Sequence, residues 1–464
     1  MSDSPEEREH WRSVIRAFDG YMRYHLSANH ARRMSFLSLP KDSKELYGAI
    51  GYREKLDAVD EGIRRNAEFI DEMIGSPVFA DMLQPDNIPH AHSHSPSNTH
   101  DHSHDHSDHH SHTHDAEQPL NDGSNDGADE RPRSSPSPSS SQKKQHESDS
   151  AQDKIRSTLR SFVRDWSVEG RKEREACYDP CLEALERYYP SSLSNHSDDG
   201  GQVLDASSTR AKRERGSVRV LVPGCGLGRL AMKIAARGFA SQGNEFSSYM
   251  LIASDWVLNH TTKRDSHTIY PYLHSFSNHL STMHNLLRSV QIPDICPADV
   301  LGNGQGGDFS LVAGDFEEIY GPASWKVPSS TTDKGREEDE GDDQICQKGR
   351  WGAVVTCFFI DCARNVLNYL RIIHTILADD GVWINVGPLL WHFENSPKKS
   401  PTGEGSIELS LDEVKDLARL VGFDIKEEKM VRSTYTGIPD GMLKHEYNAA
   451  FWVATKRKTE PLTQ

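Results

Sequence analysis

The chain has few apolar residues for its length and no long apolar run. Of its 464 residues 35% are hydrophobic, and no apolar segment reaches the roughly 18 residues that a membrane helix needs. The charged N-terminal residues lack the apolar stretch of a secretory signal. Seven cysteines occur without regular spacing, which is typical of a reducing compartment and argues against a disulfide framework. We expect the protein in the cytosol and also in the nucleus.

Positive charge is also scarce, since the formal net charge is −17. Nucleic acids and anionic membranes both bind basic surfaces, so the composition argues against either as a partner. The length suggests two or three domains. The low hydrophobic content predicts that part of the chain is unfolded.

The first 152 residues change character near residue 85. Apolar residues recur at helical spacing up to about residue 84, which predicts a helical N-terminal region over 1–84. Residues 85–152 are rich in His and Ser, with eleven histidines between His90 and His114, and predict a disordered insertion. His-rich tracts bind Zn²⁺ or Ni²⁺ loosely. We interpret this one as a low-complexity linker and predict no metal site of fixed geometry.

Residues 153–464 predict one α/β domain, because apolar strands alternate with helical patterns from Ser217 onward. We expect a Rossmann-like, mostly parallel sheet whose last strand, 449–454, is antiparallel. Polar insertions are predicted near 191–215, 326–350 and 396–405. The predicted strands are 218–222, 240–244, 309–313, 351–359 and 381–386, and the predicted helices are 227–237, 247–259, 366–377 and 411–421.

The first of these strands runs into a glycine-rich turn, Val220-Leu-Val-Pro-Gly-Cys-Gly-Leu-Gly-Arg229. A strand, a turn with Gly224, Gly226 and Gly228, and a helix let the backbone approach a nucleotide closely. Glu245 follows 21 positions after Gly224, where an acid accepts hydrogen bonds from ribose hydroxyls. A solvated loop acid is the alternative interpretation of Glu245.

The spacing of the turn discriminates between nucleotides. Arg229 stands where Gly-x-Gly-x-x-Gly has its final glycine, which weakens an NAD site, and no P-loop motif occurs. The turn instead resembles motif I of S-adenosylmethionine-dependent methyltransferases. In that class an acid at the end of the third strand, here Asp315, approaches the adenine. Asp315 equally suits the N-cap of a helix that starts at Phe316.

Segments along most of the chain resemble the carnosine N-methyltransferase family, whose members methylate the imidazole of β-alanyl-histidine to give anserine. The resemblance implies the class I methyltransferase fold and S-adenosylmethionine as methyl donor, and it suggests a homodimer through the helical region. Two of the segments are Val222-Pro-Gly-Cys-Gly-Leu-Gly-Arg229 and Cys357-Phe-Phe-Ile-Asp-Cys-Ala363. The others are 10–12, 17–18, 164–167, 173–178, 243–250, 270–278, 312–316, 387–395, 406–410 and 433–436.

The resemblance also assigns roles to residues. The implied cofactor contacts are Arg164, Gly224, Gly226, Gly228, Glu245, Asp315, Phe316 and Cys357. The implied substrate contacts are Asp361, His392 and Tyr447, together with His445, which stands where the family has a tyrosine. That departure leaves the substrate preference open.

Asp361 is the predicted catalytic residue. It follows the fourth predicted strand, at the carboxyl edge where open α/β sheets bind ligands. We expect its carboxylate to accept a hydrogen bond from one imidazole N–H, which leaves the other nitrogen to attack the methyl group. The alternative interpretations are structural: a helix cap for Asp361, a structural role for His392, and packing against the last strand for Tyr447.

The sequence is therefore compatible with three functions. The first is methyl transfer to carnosine or a related dipeptide. The second is methylation of histidine in other peptides or proteins. The third is an inactive methyltransferase fold that serves as a metal-binding scaffold.

Overall fold

The computed structural model describes residues 5–76, 140–190, 215–302, 306–322, 347–396, 405–438 and 440–457. Most of the predicted insertions, namely residues 85–139, 191–214, 326–346 and 397–404, lie outside the described residues. The domain boundaries drawn from them stay predictions. None of the described helices is long and apolar enough to cross a membrane.

The helices, numbered in chain order, begin with four in the N-terminal region: α1 (Pro5–Asp19), α2 (Tyr21–Leu37), α3 (Lys41–Ala49) and α4 (Tyr52–Ile74). Two more precede the sheet: α5 (Ser140–Trp166) and α6 (Arg171–Tyr188). The remaining α-helices among the described residues are α7 (Arg229–Ala235), α8 (Ser248–Asp255), α9 (Pro297–Leu301), α10 (Phe316–Tyr320), α11 (Val366–Ile376) and α12 (Leu411–Val421).

Among the described residues, nine strands form two sheets. The larger contains β1 (Arg219–Pro223), β2 (Ala240–Glu245), β5 (Phe309–Ala313), β6 (Trp351–Cys357), β7 (Leu377–Gly387), β8 (Phe423–Ser433) and β9 (Tyr447–Lys456). Their order is β5-β2-β1-β6-β7-β9-β8, parallel except for β9, which pairs antiparallel with β7 and β8. The smaller is a hairpin of β3 (His267–Ile269) and β4 (Val290–Ile292). The predicted fold class is confirmed.

The large sheet is covered on both faces, as its near-continuous apolar strands require. In β1, Val220 and Val222 pack with residues of α6 and α7 on one face. Leu221 points the other way and packs with Leu370 and Ile373 of α11. The carboxyl ends of the strands are where open α/β sheets bind ligands, and that end of β1 leads directly into the glycine turn.

The N-terminal helices share their apolar core with the α/β domain. Ile15 of α1, Ile63 of α4 and Phe162 of α5 lie in one cluster with Ile252 and Ala253 of α8. A polar contact joins the same two parts of the chain, since Tyr21 Oη of α2 lies 2.7 Å from His274 Nε2. The apolar stripe of the helical region is therefore covered by the α/β domain itself.

Helix α5 begins at Ser140, so the end of the predicted insertion 85–152 is helical. Tertiary contacts hold this segment: Tyr24 Oη donates to Asp149 at 2.7 Å, and the Gln152 amide donates to Ala17 O at 2.9 Å. Its polar composition suggested disorder, but the same residues pair with α1 and α2. The prediction of disorder up to residue 152 is wrong for this part.

Candidate active site

The glycine turn after β1 depends on three residues in the left-handed region. Gly224, Gly226 and Gly228 have φ of +62°, +55° and +78°, values that side chains with a Cβ rarely adopt. A Cβ on Gly224 would lie 2.5 Å from Phe359 Cδ2. The turn therefore needs glycine both for its backbone and for the close approach of the Phe359 ring.

Glu245, at the end of β2, closes this turn from the neighbouring strand. Its Oε2 accepts from Gly226 N at 2.8 Å, and its Oε1 accepts from Phe246 N at 3.0 Å and Ser247 N at 2.8 Å. Burial nevertheless raises the pKa of the carboxyl, because the three N–H groups offset only part of the desolvation. The predicted contact of this carboxylate with ribose hydroxyls stays a prediction.

Asp315, which follows the end of β5 at Ala313, caps α10. Its Oδ1 accepts from Glu317 N at 2.8 Å and Glu318 N at 3.1 Å. The helix-cap interpretation of this residue is therefore seen in the structure, and the adenine contact stays a prediction. Phe316 is buried beside it, with its ring centroid 5.3 Å from Phe359 and 5.1 Å from Tyr369, so it is part of the apolar wall behind the turn.

Arg164, near the end of α5, reaches the same turn from the helical side. Its Nη2 would lie 3.5 Å from a Cβ on Gly226, and its guanidinium forms two hydrogen bonds of 2.9 and 3.0 Å with Asp165. The guanidinium carbon lies 4.4 Å from the centroid of the Tyr435 ring. The structure thus brings Arg164, Gly226 and Glu245 together.

Arg229, whose presence argued against NAD, points away from the turn. Its side chain is buried and pairs with Asp294 at 2.7 and 3.1 Å, and its guanidinium carbon lies 4.7 Å from the Trp166 ring centroid. Arg174 bonds the same carboxylate at 2.7 Å. This buried ion-pair cluster fastens α5, α6 and α7 beneath the turn.

Strand β6 ends earlier than predicted because Phe358 leaves the strand conformation. The predicted strand 351–359 stops at Cys357, and Phe358 has a φ of +54°, which is strained for a bulky side chain. Its N–H donates to Val386 O at 2.8 Å. The Phe358 ring stacks on Tyr435 at 4.7 Å and meets Tyr447 edge-on at 5.8 Å.

Asp361 lies in a short 3-10 turn after β6 and is 1% exposed. Its Oδ2 accepts from Leu390 N at 3.0 Å, whereas Oδ1 has no hydrogen-bond partner among the described residues. Burial raises the pKa of this carboxyl to about 7. The helix-cap alternative is wrong, because Asn365 caps α11 by accepting from Leu367 N.

His392 and Cys362 lie beside Asp361. The backbone N–H of His392 donates to Asp361 O at 3.1 Å, and its Nε2 lies 3.8 Å from Cys362 Sγ. Both side chains are half-buried. Burial, and after it the charge of Asp361, raises the pKa of the Cys362 thiol.

The two other predicted substrate contacts differ in their placement. Tyr447, at the start of β9, is half-buried, and burial followed by the charge of Asp361 raises its pKa. His445 is exposed on the loop before β9. No described contact joins His445 to Asp361 or His392. Cys357, at the end of β6, is half-buried, and burial raises the pKa of its thiol.

Two residues of the site, Phe358 and Tyr435, were not among the predicted site residues. The strained φ of Phe358 leaves no mark in the sequence. Tyr435 lies between Phe358 and Arg164, and its segment, Ser433-Thr-Tyr-Thr436, had already contributed to the family resemblance. That segment was the available signal.

The strand order, the glycine turn after β1 and the acid after β2 together define a class I S-adenosylmethionine-dependent methyltransferase fold. A solved methyltransferase of this kind from Methanosarcina mazei overlays with 10% identity and a TM-score of 0.31, over 56% of this chain and all of that one. A likeness this low adds nothing to the strand order.

A sequence profile described as "Carnosine N-methyltransferase" matches residues 141–199 and 201–458. The chain belongs to this family. It is 37% identical to the carnosine N-methyltransferase of Schizosaccharomyces pombe over 301 residues, which is 64% of this chain and 69% of that protein. The Rattus norvegicus enzyme is 37% identical over 294 residues, 63% of this chain and 60% of its own length. Over 296 residues, the Dictyostelium discoideum enzyme is 34% identical, covering 64% of this chain and 53% of its own length. The chain thus spans about half to two thirds of these relatives.

Proposed function

We propose that the chain transfers a methyl group from S-adenosylmethionine to an imidazole nitrogen of carnosine, giving anserine. One observation carries the proposal: the buried Asp361 has an oxygen without a partner among the described residues, in a site shared with His392 and Tyr447. Family membership supports carnosine as the substrate class. A histidine side chain in a peptide or protein would present the same imidazole.

The cofactor half of the site suits S-adenosylmethionine. Gly224 and Gly226 leave the turn without side chains at the carboxyl end of β1. Glu245 accepts three backbone N–H bonds, so at least one of its roughly four lone-pair directions remains for a ribose hydroxyl. Arg164 is at the opposite side of Gly226. When bound there, S-adenosylmethionine supplies an electrophilic methyl group on a sulfonium.

Asp361 orients the acceptor. Its Oδ1 accepts the N–H of the neutral imidazole, which fixes the tautomer and aims the lone pair of the other nitrogen at the methyl group. As the new N–CH₃ bond forms, positive charge develops on the ring. The carboxylate stabilises that charge and afterwards takes the N–H proton, for which a pKa of about 7 is well placed.

The test is Asp361→Asn, which keeps an oxygen for Leu390 N but removes the negative charge. We expect kcat with carnosine to fall about 10²- to 10⁴-fold, the range for a lost proton acceptor. Binding of S-adenosylhomocysteine, measured by calorimetry, should stay within about twofold, because Asp361 lies outside the glycine turn. Asp379→Asn is the matched control, since Asp379 is fully exposed in β7.

Turnover of Asp361→Asn close to that of the control would overturn this role. Parallel assays with carnosine, free histidine and histidine-containing peptides decide which acceptor is used. Absence of turnover on every imidazole, with intact S-adenosylhomocysteine binding, would favour the inactive scaffold.

A homodimer through the helical region belongs to the same proposal. Helix α3 has no buried residue; Leu46 within it and Ile50 directly after it are 73% and 77% exposed. Self-association through this surface would cover them. Light scattering over a range of protein concentrations tests it, and a constant monomer mass would reject it.

A further inference from the structure

Three side chains at the acceptor end of the site have the chemistry of a metal site. Asp361, Cys362 and His392 offer one carboxylate oxygen, one thiol sulfur and one imidazole nitrogen, and these atoms all lie within 4.8 Å of one another. They come from two neighbouring loops, the turn after β6 and the segment after β7. The proposed methyl transfer uses Asp361 and assigns no role to the Cys362 thiol.

The spacing suits a tetrahedral ion. Zn–S bonds of about 2.3 Å and Zn–N bonds of about 2.0 Å place the two ligand atoms roughly 3.5 Å apart at a tetrahedral angle. Cys362 Sγ and His392 Nε2 are 3.8 Å apart. A shift of a few tenths of an ångström would therefore bring both atoms onto one ion.

Asp361 supplies an independent reason for a ligand here. Its side chain is 1% exposed, and its Oδ1 has no hydrogen-bond partner among the described residues. A buried carboxylate oxygen in this state is costly unless it meets a proton, a donor or a cation. Leu390 N holds only the other oxygen, at 3.0 Å.

The donor set selects the ion. A thiolate and an imidazole favour borderline or soft cations such as Zn²⁺, whereas Mg²⁺ and Ca²⁺ need oxygen ligands. Three protein ligands leave a fourth position for water. Cys362 and His392 are half-buried, so an ion reaches them from the open side of the site.

We propose that Asp361, Cys362 and His392 form an inhibitory Zn²⁺ site that competes with the imidazole substrate. A bound ion occupies Oδ1 of Asp361, the atom that receives the substrate N–H. A substrate nitrogen that coordinated the ion would also lose the lone pair needed for attack on the methyl group. Binding of the ion does not depend on the proposed function, whereas the inhibition rests on that function.

Binding is tested first, without an activity assay. The full chain is titrated with Co²⁺, and sulfur-to-cobalt charge-transfer absorption in the near ultraviolet is recorded. This band requires a thiolate ligand, so the histidine tract between His90 and His114 does not produce it. We expect the band in the unchanged protein, its loss in Cys362→Ser, and its retention in Cys296→Ser, a matched control whose sulfur instead faces Thr261 O.

Inhibition is tested second, with free Zn²⁺ fixed by a chelator buffer because carnosine itself binds metal ions. Zn²⁺ should raise KM for carnosine and leave kcat unchanged. The Zn²⁺ concentration for half-inhibition should be at least tenfold higher in Cys362→Ser than in Cys296→Ser. Each variant is compared with its own activity without metal.

Absence of the cobalt band, or an identical band in Cys362→Ser, would overturn the site. A cobalt band that depends on Cys362, together with inhibition that carnosine does not relieve, would overturn the competition. If the chain methylates no imidazole, the proposed function fails while the cobalt titration still decides the metal site.

Discussion

Glu245 at the end of β2 and Asp361 in the turn after β6 lie at the carboxyl edge of the same sheet, on either side of β1. Their carboxylates differ in how many hydrogen bonds the chain supplies. Both oxygens of Glu245 accept backbone N–H groups of the chain. One oxygen of Asp361 accepts from Leu390 N, and the other has no partner among the described residues. We call the glycine turn 224–228 with Glu245 the donor half of the proposed site, and Asp361, His392 and Tyr447 the acceptor half. The difference teaches that backbone N–H groups satisfy the carboxylate of the donor half, whereas the carboxylate of the acceptor half keeps one oxygen for the proposed ligand.

The largest stability effect should come from the donor half. Gly224→Ala adds a Cβ 2.5 Å from the buried Phe359 ring at a φ of +62°. We expect the free energy of unfolding to fall by roughly 2–4 kcal/mol, from left-handed strain and overpacking together. Chemical denaturation measures it.

Gly349→Ala is the matched control, because Gly349 has a φ of +68° but nothing within 4 Å of the added Cβ. It should cost only the backbone strain, about 1–2 kcal/mol. Equal losses in the two variants would show that the donor half tolerates the extra atom.

Replacing each acid by its amide should next change the stability of the fold differently at the two positions. Glu245→Gln replaces a charged acceptor of three N–H bonds and turns an NH₂ toward one of them. We expect a loss of about 2 kcal/mol in stability and about tenfold in S-adenosylhomocysteine affinity. Thermal unfolding and calorimetry measure these.

Asp361→Asn should instead be neutral or stabilising at pH 8. The carboxyl has a pKa of about 7 in the fold and about 3.9 in the unfolded chain. Between these values the native state binds more protons, so Asp361 lowers stability as pH rises from about 4 to 7. The amide removes that loss. A clear destabilisation by Asp361→Asn at pH 8 would contradict the expected difference between Glu245 and Asp361.

The pH dependence of catalysis sharpens the comparison further. Methyl transfer needs a neutral imidazole, with a pKa near 6.5, and an ionised Asp361, with a pKa of about 7. Well below both values, kcat/KM should fall up to about 100-fold per pH unit in the unchanged protein, but only up to about tenfold in Asp361→Asn. Equal slopes would show that ionised Asp361 is not required.

The smallest effect should come from Tyr435, which touches both halves. Its ring lies 4.4 Å from the Arg164 guanidinium carbon and stacks on Phe358 at 4.7 Å. Tyr435→Leu should cost about 1 kcal/mol, or roughly fivefold in affinity. The loss should appear both in S-adenosylhomocysteine binding and in KM for carnosine. A change confined to one of them would assign Tyr435 to that half.

The sequence predicted the donor half better than the acceptor half, for a physical reason. Strand β1, its glycine turn and Glu245 are contiguous or one strand apart, so local spacing places them together. Asp361 was placed at the sheet edge by its position after an apolar strand, but its hydrogen bonding depends on Leu390 N from another loop, which holds only Oδ2. Phe358 and Tyr435 meet only through the tertiary fold.

Strand β8 shows a second limit of the sequence. It was not predicted, because as an edge strand it exposes Lys426, Glu428 and other charged residues, and only its ends are buried. Charged edges protect sheets from pairing with other chains. Because of the same charges, the strand lacks the alternation of apolar and polar residues by which strands are predicted.

The position of β9 has a consequence for how the protein is made. This strand follows β8 along the chain but inserts between β7 and β8 in the sheet. During translation the edge of β7 therefore stays open until the ribosome has released residues 447–456. Unpaired edges of this kind invite pairing with other nascent chains, so the interval before residues 447–456 emerge is the one in which chaperones have most to protect.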